Sequence, residues 1–442
     1  PVISGGPYRH LEFYYYYSNF LVYGGAGSGK TKSIGKWLLE EYIRLGFAGF
    51  IYDFKDVDYT QTAYNLTKKY GYPHKFYYVS FDKPERSYRF NPLKVVKDRT
   101  ELMQLMEDVL LALLPKGEKQ NEWVAGGLGI LRGVAFRFWD EFPEYCTLPH
   151  IMAFIMTAST RQLSIFLQQN LVAEMMAGAY LKAEGSEKTQ ASYLSTLCNN
   201  LSTISQNEEI AYILSGDDFD FNLIDPEEPK LFAISNNFSK NSVYAPVIGM
   251  LMSISTRQFT MQNKVPFVYF LDEMTTVNIK NFETLPSVLR EYKVGLVLLT
   301  QSGAKLEALY GKLDRSSVEA NFGIQFFGRT KDVESLRYYP LMFGKEEKER
   351  KSRSTGKSGS SSNRSVTQKE DIYQGRDFAD LEPGEFIGSA TRANVRYFKV
   401  MLGEFKEKDE KPLPDVRVLE PEEITRNFSR ILADVRSLFP CE

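Results

Sequence analysis

The sequence predicts an α/β fold in which a mostly parallel sheet carries an inserted all-helical domain. Short apolar runs at residues 20–23, 49–53 and 75–80 are separated by segments with helical spacing, which is typical of strands and helices that alternate in a parallel sheet. From about residue 99 to 215 the apolar spacing is helical almost throughout. Strand-like runs return at residue 230, so the helical segment interrupts one sheet-forming unit.

The first predicted strand is followed by a glycine-rich loop whose residues are Gly24, Gly25, Ala26, Gly27, Ser28, Gly29, Lys30 and Thr31. The glycines leave backbone N–H groups free to point at one anion, Lys30 would lie along the β- and γ-phosphates, and the Thr31 hydroxyl would hold Mg²⁺. Apolar residues then recur at helical spacing over 34–45, and Gly46 offers a cap. A strand, a loop and a helix in this order predict a binding loop for a nucleoside triphosphate rather than a chance glycine-rich turn.

The later elements extend the predicted sheet. Further strands are expected, in chain order, at residues 230–235, 267–271, 294–299, 322–327, 385–389 and 395–402. The last two alternate in polarity, so we expect them as antiparallel strands at the edge of the sheet. A final amphipathic helix is expected near residues 425–438.

Changes of composition mark the expected domain boundaries. The nucleotide-binding domain is expected to comprise residues 1–98 and 216–405, with the all-α domain at 99–215 between them. Residues 345–370 are rich in Ser and Gly and hold eight Lys or Arg, which predicts a flexible basic loop, either a solvated linker or an arm that follows a nucleic-acid strand. Residues 406–442 begin Pro- and acid-rich and are expected as a peripheral tail that ends with the final helix.

A pair of carboxylates supplies the second half of a predicted hydrolytic site. The apolar run at 267–271 ends in Asp272 and Glu273. Asp272 is expected to hold Mg²⁺, and Glu273 to orient and deprotonate the attacking water. An acidic pair also begins many helices. Together with the phosphate-binding loop, however, this pair favours an enzyme that hydrolyses nucleotide repeatedly.

Two further residues fit a hydrolysis cycle. Gln301 ends the next predicted strand, where an amide can sense the γ-phosphate or the attacking water; a polar cap of the strand is the alternative. Arg290 lies between the two strands and can reach across a subunit boundary to stabilise charge in phosphoryl transfer; an exposed helix-surface arginine is the alternative. The predicted catalytic set is therefore Glu273, Lys30, Arg290 and Gln301.

Composition argues against several other classes of protein. The net charge of −2 and the pI near 6.2 predict that any contact with nucleic acid is local. Three cysteines and three histidines lie far apart, which predicts neither disulfides nor a zinc site and fits reduced thiols in a cytosol. No apolar run reaches the roughly 18 residues needed to cross a bilayer. Because the sequence starts at Pro1, the question whether a segment such as a membrane anchor precedes it stays open.

These motifs resemble the core of the type IV secretion coupling proteins, the TraG/TraD-like conjugative DNA-transfer ATPases. That family carries Asp-Pro-Lys, Asn-Pro-Leu, Asp-Glu-Phe, Arg-Gly-Tyr-Gly, Gln-Ser and Tyr-Gly in this order. The similar stretches in this chain are Asp53-Phe54-Lys55, Asn91-Pro92-Leu93, Asp272-Glu273-Met274, Arg290-Glu291-Tyr292-Lys293, Gln301-Ser302 and Tyr310-Gly311. The resemblance covers about residues 20 to 402. Departures are Met274 in place of Phe, Phe54 and Asp56 where Pro and Gly are common, and the missing N-terminal transmembrane pair.

The resemblance implies a RecA-like P-loop NTPase domain with an inserted all-α domain, and ATP and Mg²⁺ as cofactors. It implies a homo-hexameric ring that moves single-stranded DNA with its bound relaxase toward a type IV secretion channel, from the cytoplasmic face of the inner membrane. An isolated chain is also compatible with a monomer. Arg290 takes the place of the family's arginine-finger candidate.

Three other functions stay open at this point. The same ATPase could recruit secreted effector proteins instead of DNA. A nucleotide-gated docking platform with little turnover is a second alternative, although Glu273 argues against it. A small-molecule kinase is a third, and it rarely needs so long a helical insertion.

Overall fold

A nine-stranded sheet organises the fold. The computed structural model describes residues 2–5, 9–15, 17–114, 121–183, 185–355, 361–407 and 410–440. The strands are β1 (Val2–Gly5), β2 (Arg9–Glu12), β3 (Phe20–Tyr23), β4 (Ala48–Asp53), β5 (Lys75–Ser80), β6 (Lys230–Ser235), β7 (Phe267–Leu271), β8 (Val294–Thr300), β9 (Ile324–Gly328), β10 (Lys345–Thr355), β11 (Ser361–Asp371), β12 (Glu385–Ala390) and β13 (Tyr397–Met401).

Helices precede and follow these strands, in the alternation that the sequence predicts. They are α1 (Lys36–Arg44), α2 (Asp58–Lys69), α3 (Arg99–Leu113), α4 (Glu122–Glu141), α5 (Leu148–Thr157), α6 (Thr160–Gln168), α7 (Leu171–Met176), α8 (Gly178–Lys182), α9 (Glu187–Ser205), α10 (Glu208–Leu214), α11 (Asn241–Thr256), α12 (Leu285–Val288), α13 (Gly303–Tyr310), α14 (Lys312–Asn321), α15 (Val333–Tyr338), α16 (Gly375–Ala379) and α17 (Glu423–Ser437). In the described part of the chain, none of them is long and apolar enough to cross a membrane.

The sheet is parallel except at one edge. Its strand order is β13-β12-β9-β3-β8-β7-β4-β6-β5. The strands from β9 to β5 are parallel to one another, and β12 and β13 continue the sheet antiparallel, as the alternating polarity predicts. Because parallel strands share one direction, the carboxyl ends of β3, β8 and β7 lie side by side at one edge.

The central strands are buried on both faces. In β3, Phe20 and Val22 pack in a core with α1 and α2, while Leu21 and Tyr23 point into a second core on the opposite face. This division follows from the two-residue period of a strand. All seven residues of β8 are buried, which explains why it reads as a continuous apolar run.

Helices α3 to α10 form the helical insertion between β5 and β6. The long helix α4 lies at its centre, and Asn121 caps its first turn. Glycines in α4 allow close packing, because a Cβ atom at Gly126 would meet the Tyr193 ring at 2.2 Å and one at Gly129 would meet the Met176 carbonyl oxygen at 2.6 Å. The all-α insertion of the predicted fold class is therefore present.

The basic segment at 345–370 differs from the predicted loop. Most of it forms β10 and β11, which pair antiparallel with Lys345 opposite Asp371 and Glu347 opposite Lys369. Backbone pairing within a hairpin satisfies the N–H and C=O groups without apolar side chains, so a low apolar content did not exclude strands here.

The C-terminal segment also differs from the expected peripheral tail. Residues 402–407 and 410–418, here called the C-terminal strap, run along the nucleotide-binding part of the chain. The Phe405 N–H group donates to the Lys32 carbonyl oxygen at 2.8 Å, and the Tyr78 hydroxyl donates to the Pro414 carbonyl oxygen at 3.0 Å. Helix α17 then packs on α5 and α10 of the helical insertion, with Ile431 and Val435 fully buried. These two side chains lie four residues apart and thus share one helix face.

Replacing Ile431 with alanine tests whether α17 is part of the folded core. We expect Ile431→Ala to lower the free energy of unfolding by about 2–4 kcal/mol, since it leaves a cavity at a fully buried position. Arg436→Ala, on the exposed face of the same helix, is the matched control and should change it by less than about 0.5 kcal/mol. Urea unfolding measures both, and equal effects would show that α17 is not packed as described.

Candidate functional site

The phosphate-binding loop is fastened to the strands on both sides of β3. The Gly24 N–H group donates to the Thr300 carbonyl oxygen at the end of β8, at 3.3 Å. The next N–H group, of Gly25, donates to the Arg329 carbonyl oxygen just after β9, at 2.8 Å. These bonds fix the start of the loop at the carboxyl edge of the sheet.

Two glycines of the loop have backbone conformations that favour glycine. Gly27 has a φ of 71° and Gly29 a φ of 93°. At Gly29 a Cβ atom would also meet the Gly384 nitrogen at 2.7 Å. A π-helical turn over Lys30–Gly35 follows and leads directly into α1. The loop therefore ends at a helix N-terminus, whose free N–H groups and dipole favour an anion.

Lys30 is folded back over its own loop. Its ammonium donates to the Gly24 carbonyl oxygen, and it lies 3.4 Å from the Gly25 carbonyl oxygen. The side chain is buried, and this burial lowers the pKa of Lys30 from its ordinary value, although Glu273 and Asp272 act in the opposite direction. The lysine and the acidic pair thus interact across the site.

The acidic pair follows β7 directly, at the same edge. Asp272 is only 2% exposed, and its backbone N–H group donates to the Tyr52 carbonyl oxygen at the end of β4. Glu273 is buried too and has a left-handed backbone, with a φ of 43°. A non-glycine residue in this conformation is uncommon, and such residues cluster at functional sites.

The charges around Asp272 and Thr31 suit a divalent cation. Burial raises the pKa of Asp272 to about 6, and Lys55 opposes this rise. Asp272 Oδ2 has no hydrogen-bond partner among the residues that the structure describes. Thr31 Oγ1 accepts a hydrogen bond from Lys55 Nζ at 2.9 Å, so it already faces a cation. A hydroxyl and a carboxylate oxygen are the hard ligands that Mg²⁺ prefers, so these two residues fit the predicted metal site.

Gln301 follows β8, between the phosphate-binding loop and the acidic pair. Its Oε1 atom accepts a hydrogen bond from Lys305 Nζ at 2.7 Å. The same ammonium lies 3.6 Å from Glu273 Oε1. Lys305 is therefore a cation of the site that the sequence reasoning missed; its place four residues after Gln301, at the start of a helix, was the available signal.

Arg290 lies far from the site of its own chain. It is exposed and belongs to a 3₁₀ turn that precedes β8, whereas Gln301 follows that strand. The seven residues of β8 separate these two positions by on the order of 20 Å. Within one chain the structure does not bring Arg290 to the other predicted catalytic residues.

One cavity of about 360 Å³ is lined by most of the remaining predicted residues. Its lining includes the loop residues 25–31 together with Lys55, Glu273 and Gln301. Gly384 and Glu404, from the segments around β12 and β13, close one side, and neither was singled out in the sequence. Gly24 and Asp272 adjoin lining residues in the chain but do not line the cavity themselves, and Asp272 is buried. The lysine-bearing loop and the acidic pair therefore converge.

This arrangement defines a class of protein. The phosphate-binding loop follows β3, the acidic pair follows β7, and the single strand β8 lies between these two strands. At the carboxyl edge of a parallel sheet, this arrangement is that of a RecA-like P-loop NTPase. The predicted fold class is confirmed.

Comparison with known proteins shows which P-loop NTPases this chain resembles. Residues 266–383 match the family described as the TraM recognition site of TraD and TraG. This match confirms the resemblance to the TraG/TraD-like coupling proteins of type IV secretion. No curated protein sequence matches the chain.

Solved structures show the same fold. The bacterial conjugative coupling protein TrwBdeltaN70, in its unbound form, is 18% identical and has a TM-score of 0.69, over 89% of this chain and 87% of that chain. The plasmid coupling protein TrwB in complex with ADP and Mg²⁺ is also 18% identical, with a TM-score of 0.67 over 89% and 87% of the two chains. VirB4 of Thermoanaerobacter pseudethanolicus is 12% identical, with a TM-score of 0.52 over 87% and 89%.

Asp53 gives a pH-dependent test of the electrostatics beside the site. It ends β4 and is fully buried, and its Oδ2 atom accepts hydrogen bonds from the Thr60 N–H group at 2.8 Å and from the Thr60 hydroxyl at 2.9 Å. Burial nevertheless raises the pKa of Asp53 to about 7. In the unfolded chain an aspartate titrates near 3.9, so the stabilising contribution of protonated Asp53 is lost as the pH rises from about 4 through 7.

We expect wild type to lose about 2–3 kcal/mol of unfolding free energy relative to Asp53→Asn between pH 5 and pH 8. The asparagine does not titrate and keeps an acceptor for Thr60. Asp140→Asn, an exposed replacement in α4, is the control and should follow the wild-type profile. Urea unfolding at several pH values measures the difference, and parallel wild-type and Asp53→Asn profiles would contradict the raised pKa.

Proposed function

We propose that this chain is the ATP-hydrolysing motor of a conjugative coupling protein, which drives single-stranded DNA and its bound relaxase into a type IV secretion channel. The observation that carries the proposal is the convergence of Lys30 and Glu273 on one cavity, in a chain whose residues 266–383 match the TraD and TraG family. A phosphate-binding loop alone would fit kinases and switches equally well, whereas a buried second carboxylate beside it suits repeated hydrolysis.

ATP and Mg²⁺ are the proposed cofactors. The TrwB structures in complex with ADP and Mg²⁺ and with the ATP analogue ADPNP support this assignment at the level of the fold. The loop residues Gly24 to Thr31 would hold the phosphates, and Thr31 and Asp272 would hold the metal. When bound, Mg²⁺ would neutralise charge on the β- and γ-phosphate oxygens.

The remaining residues act on the attacking water and the γ-phosphate. Glu273 is buried at the cavity and is placed to orient and deprotonate water. Lys30 must exchange its bonds to the Gly24 and Gly25 carbonyl oxygens for phosphate oxygens. Gln301 can donate hydrogen bonds from its amide to the water or the phosphate.

In a ring of subunits, a neighbouring chain supplies the arginine that the site of a single chain lacks. Arg290 is exposed and distant from its own cavity, so we propose that it completes the site of a neighbouring subunit as an arginine finger. A homo-hexamer is the expected assembly, at the cytoplasmic face of the inner membrane beside the secretion channel. The family description names TraM as what the site in TraD and TraG recognises, which supports docking of a protein partner in addition to DNA.

Turnover of ATP with and without single-stranded DNA tests the proposal. We expect wild-type activity per chain to rise with protein concentration and with DNA, and the stimulation by DNA to fall as salt is added, because phosphate contacts release counterions. Glu273→Gln should bind ATP within about threefold of wild type but hydrolyse it about 10²–10⁴-fold more slowly, since the general base is lost.

Glu334→Gln is the matched control, because it makes the same change at an exposed carboxylate that pairs only with Arg337 in the described structure. Its turnover should equal that of wild type. Activity unaffected by DNA, together with direct binding of a secreted protein, would favour the effector-recruiting ATPase instead. Full biological function of Glu273→Gln would favour a nucleotide-gated docking platform.

Mixing two inactive variants tests Arg290 in trans. Arg290→Ala and Glu273→Gln should each be nearly inactive alone. In a 1:1 mixture some sites combine Glu273 of one chain with Arg290 of the next, so turnover should recover to on the order of a quarter of wild type. Reassembled mixtures and each variant alone are assayed at equal total protein. No recovery in a mixture that still assembles would place Arg290 outside the site.

A further inference from the structure

We propose that Lys305 is a positioning residue of the hydrolytic site, which holds Gln301 and Glu273 in the orientation that hydrolysis needs. This inference rests on the proposed ATPase function and adds a residue to it. Lys305 lies in the first turn of α13, and its ammonium is within reach of both functional side chains.

The contact with Gln301 fixes the direction of its amide group. An ammonium has three donors and no acceptor, so only the carbonyl oxygen of the amide can face it. Lys305 Nζ lies 2.7 Å from Gln301 Oε1, which turns the two N–H donors of the amide away from the lysine. Gln301 lines the cavity, and its N–H donors are the atoms that could bond a phosphate oxygen or the attacking water.

The contact with Glu273 supplies a charge partner for a strained, buried base. The Glu273 side chain is 7% exposed, and its Oε1 atom has no hydrogen-bond partner among the described residues. Lys305 Nζ lies 3.6 Å from that oxygen, close enough to attract it and too far for a hydrogen bond. The carboxylate is therefore held on one side while remaining able to accept a proton from water.

Lys30 and Lys55, which line the cavity, already have different partners. Lys30 bonds to carbonyl oxygens of the phosphate-binding loop, and Lys55 bonds to the Thr31 hydroxyl. Lys305 is half exposed and lies next to Glu273. Of these three lysines, Lys305 is the one whose ammonium contacts Gln301 and Glu273 in the described structure.

Replacement of Lys305 by methionine tests this role, because methionine keeps the apolar stem and removes the ammonium. We expect Lys305→Met to lower kcat for ATP 10- to 100-fold, since catalysis is sensitive to misplacement of the reacting groups by about 1 Å. The KM for ATP and the affinity for a fluorescent ATP analogue should stay within about twofold, because the phosphate-binding loop is untouched. Lys305→Arg retains the charge and donors and should recover at least half of the lost activity.

Lys312→Met, the same change at an exposed lysine of α14, is the control and should match wild type. A Lys305→Met variant with wild-type kcat would overturn the role. So would a raised KM with unchanged kcat, which would make Lys305 a substrate-binding group. If the wild-type protein itself shows no turnover, the proposed function fails together with this inference, and that result is distinguishable because it appears before any variant is compared.

Discussion

The direction of neighbouring strands is the constraint on which the site depends. Strands β3, β8 and β7 are parallel and adjacent, so the chain leaves all three at one edge of the sheet. Lys30 and the pair Asp272 and Glu273 are separated by some 240 positions in sequence, and they meet only because of this arrangement. If β7 ran in the opposite direction, its acidic pair would lie at the opposite edge of the sheet, away from Lys30.

The carboxyl edge of the sheet is unusual because charged side chains are buried there. Asp272, Glu273 and Lys30 are all buried, although isolated buried charges are costly. The cost is reduced because Lys30 is attracted by Glu273 and Asp272, and Asp272 is attracted by Lys55 as well. The raised pKa of Asp272 shows that the compensation is incomplete in the protein alone, which favours a bound cation next to this carboxylate.

Much of this architecture could be predicted from the sequence because it depends on short-range patterns. Buried parallel strands such as β4 and β8 read as apolar runs, and a phosphate-binding loop has fixed spacing. The hairpin β10–β11 could not be predicted, because its pairing depends on the backbone rather than on apolar side chains. Lys305 was missed for a different reason: its place four residues after Gln301 could indicate a contact within one helical turn, but only the fold places it beside Glu273. The packing of Ile431 and Val435 against α5 and α10, which lie more than 200 residues earlier in the chain, is likewise a tertiary property.

The C-terminal strap has a mechanical consequence. The polypeptide passes between the sheet and the helical insertion after β5, again before β6, and a third time through the strap to α17. The helical insertion is thus joined to the sheet by three connections rather than two. The strap is bonded at Lys32, in the turn that follows the phosphate-binding loop. This bond joins the turn after the phosphate-binding loop to the segment of chain that leads to α17 and the helical insertion.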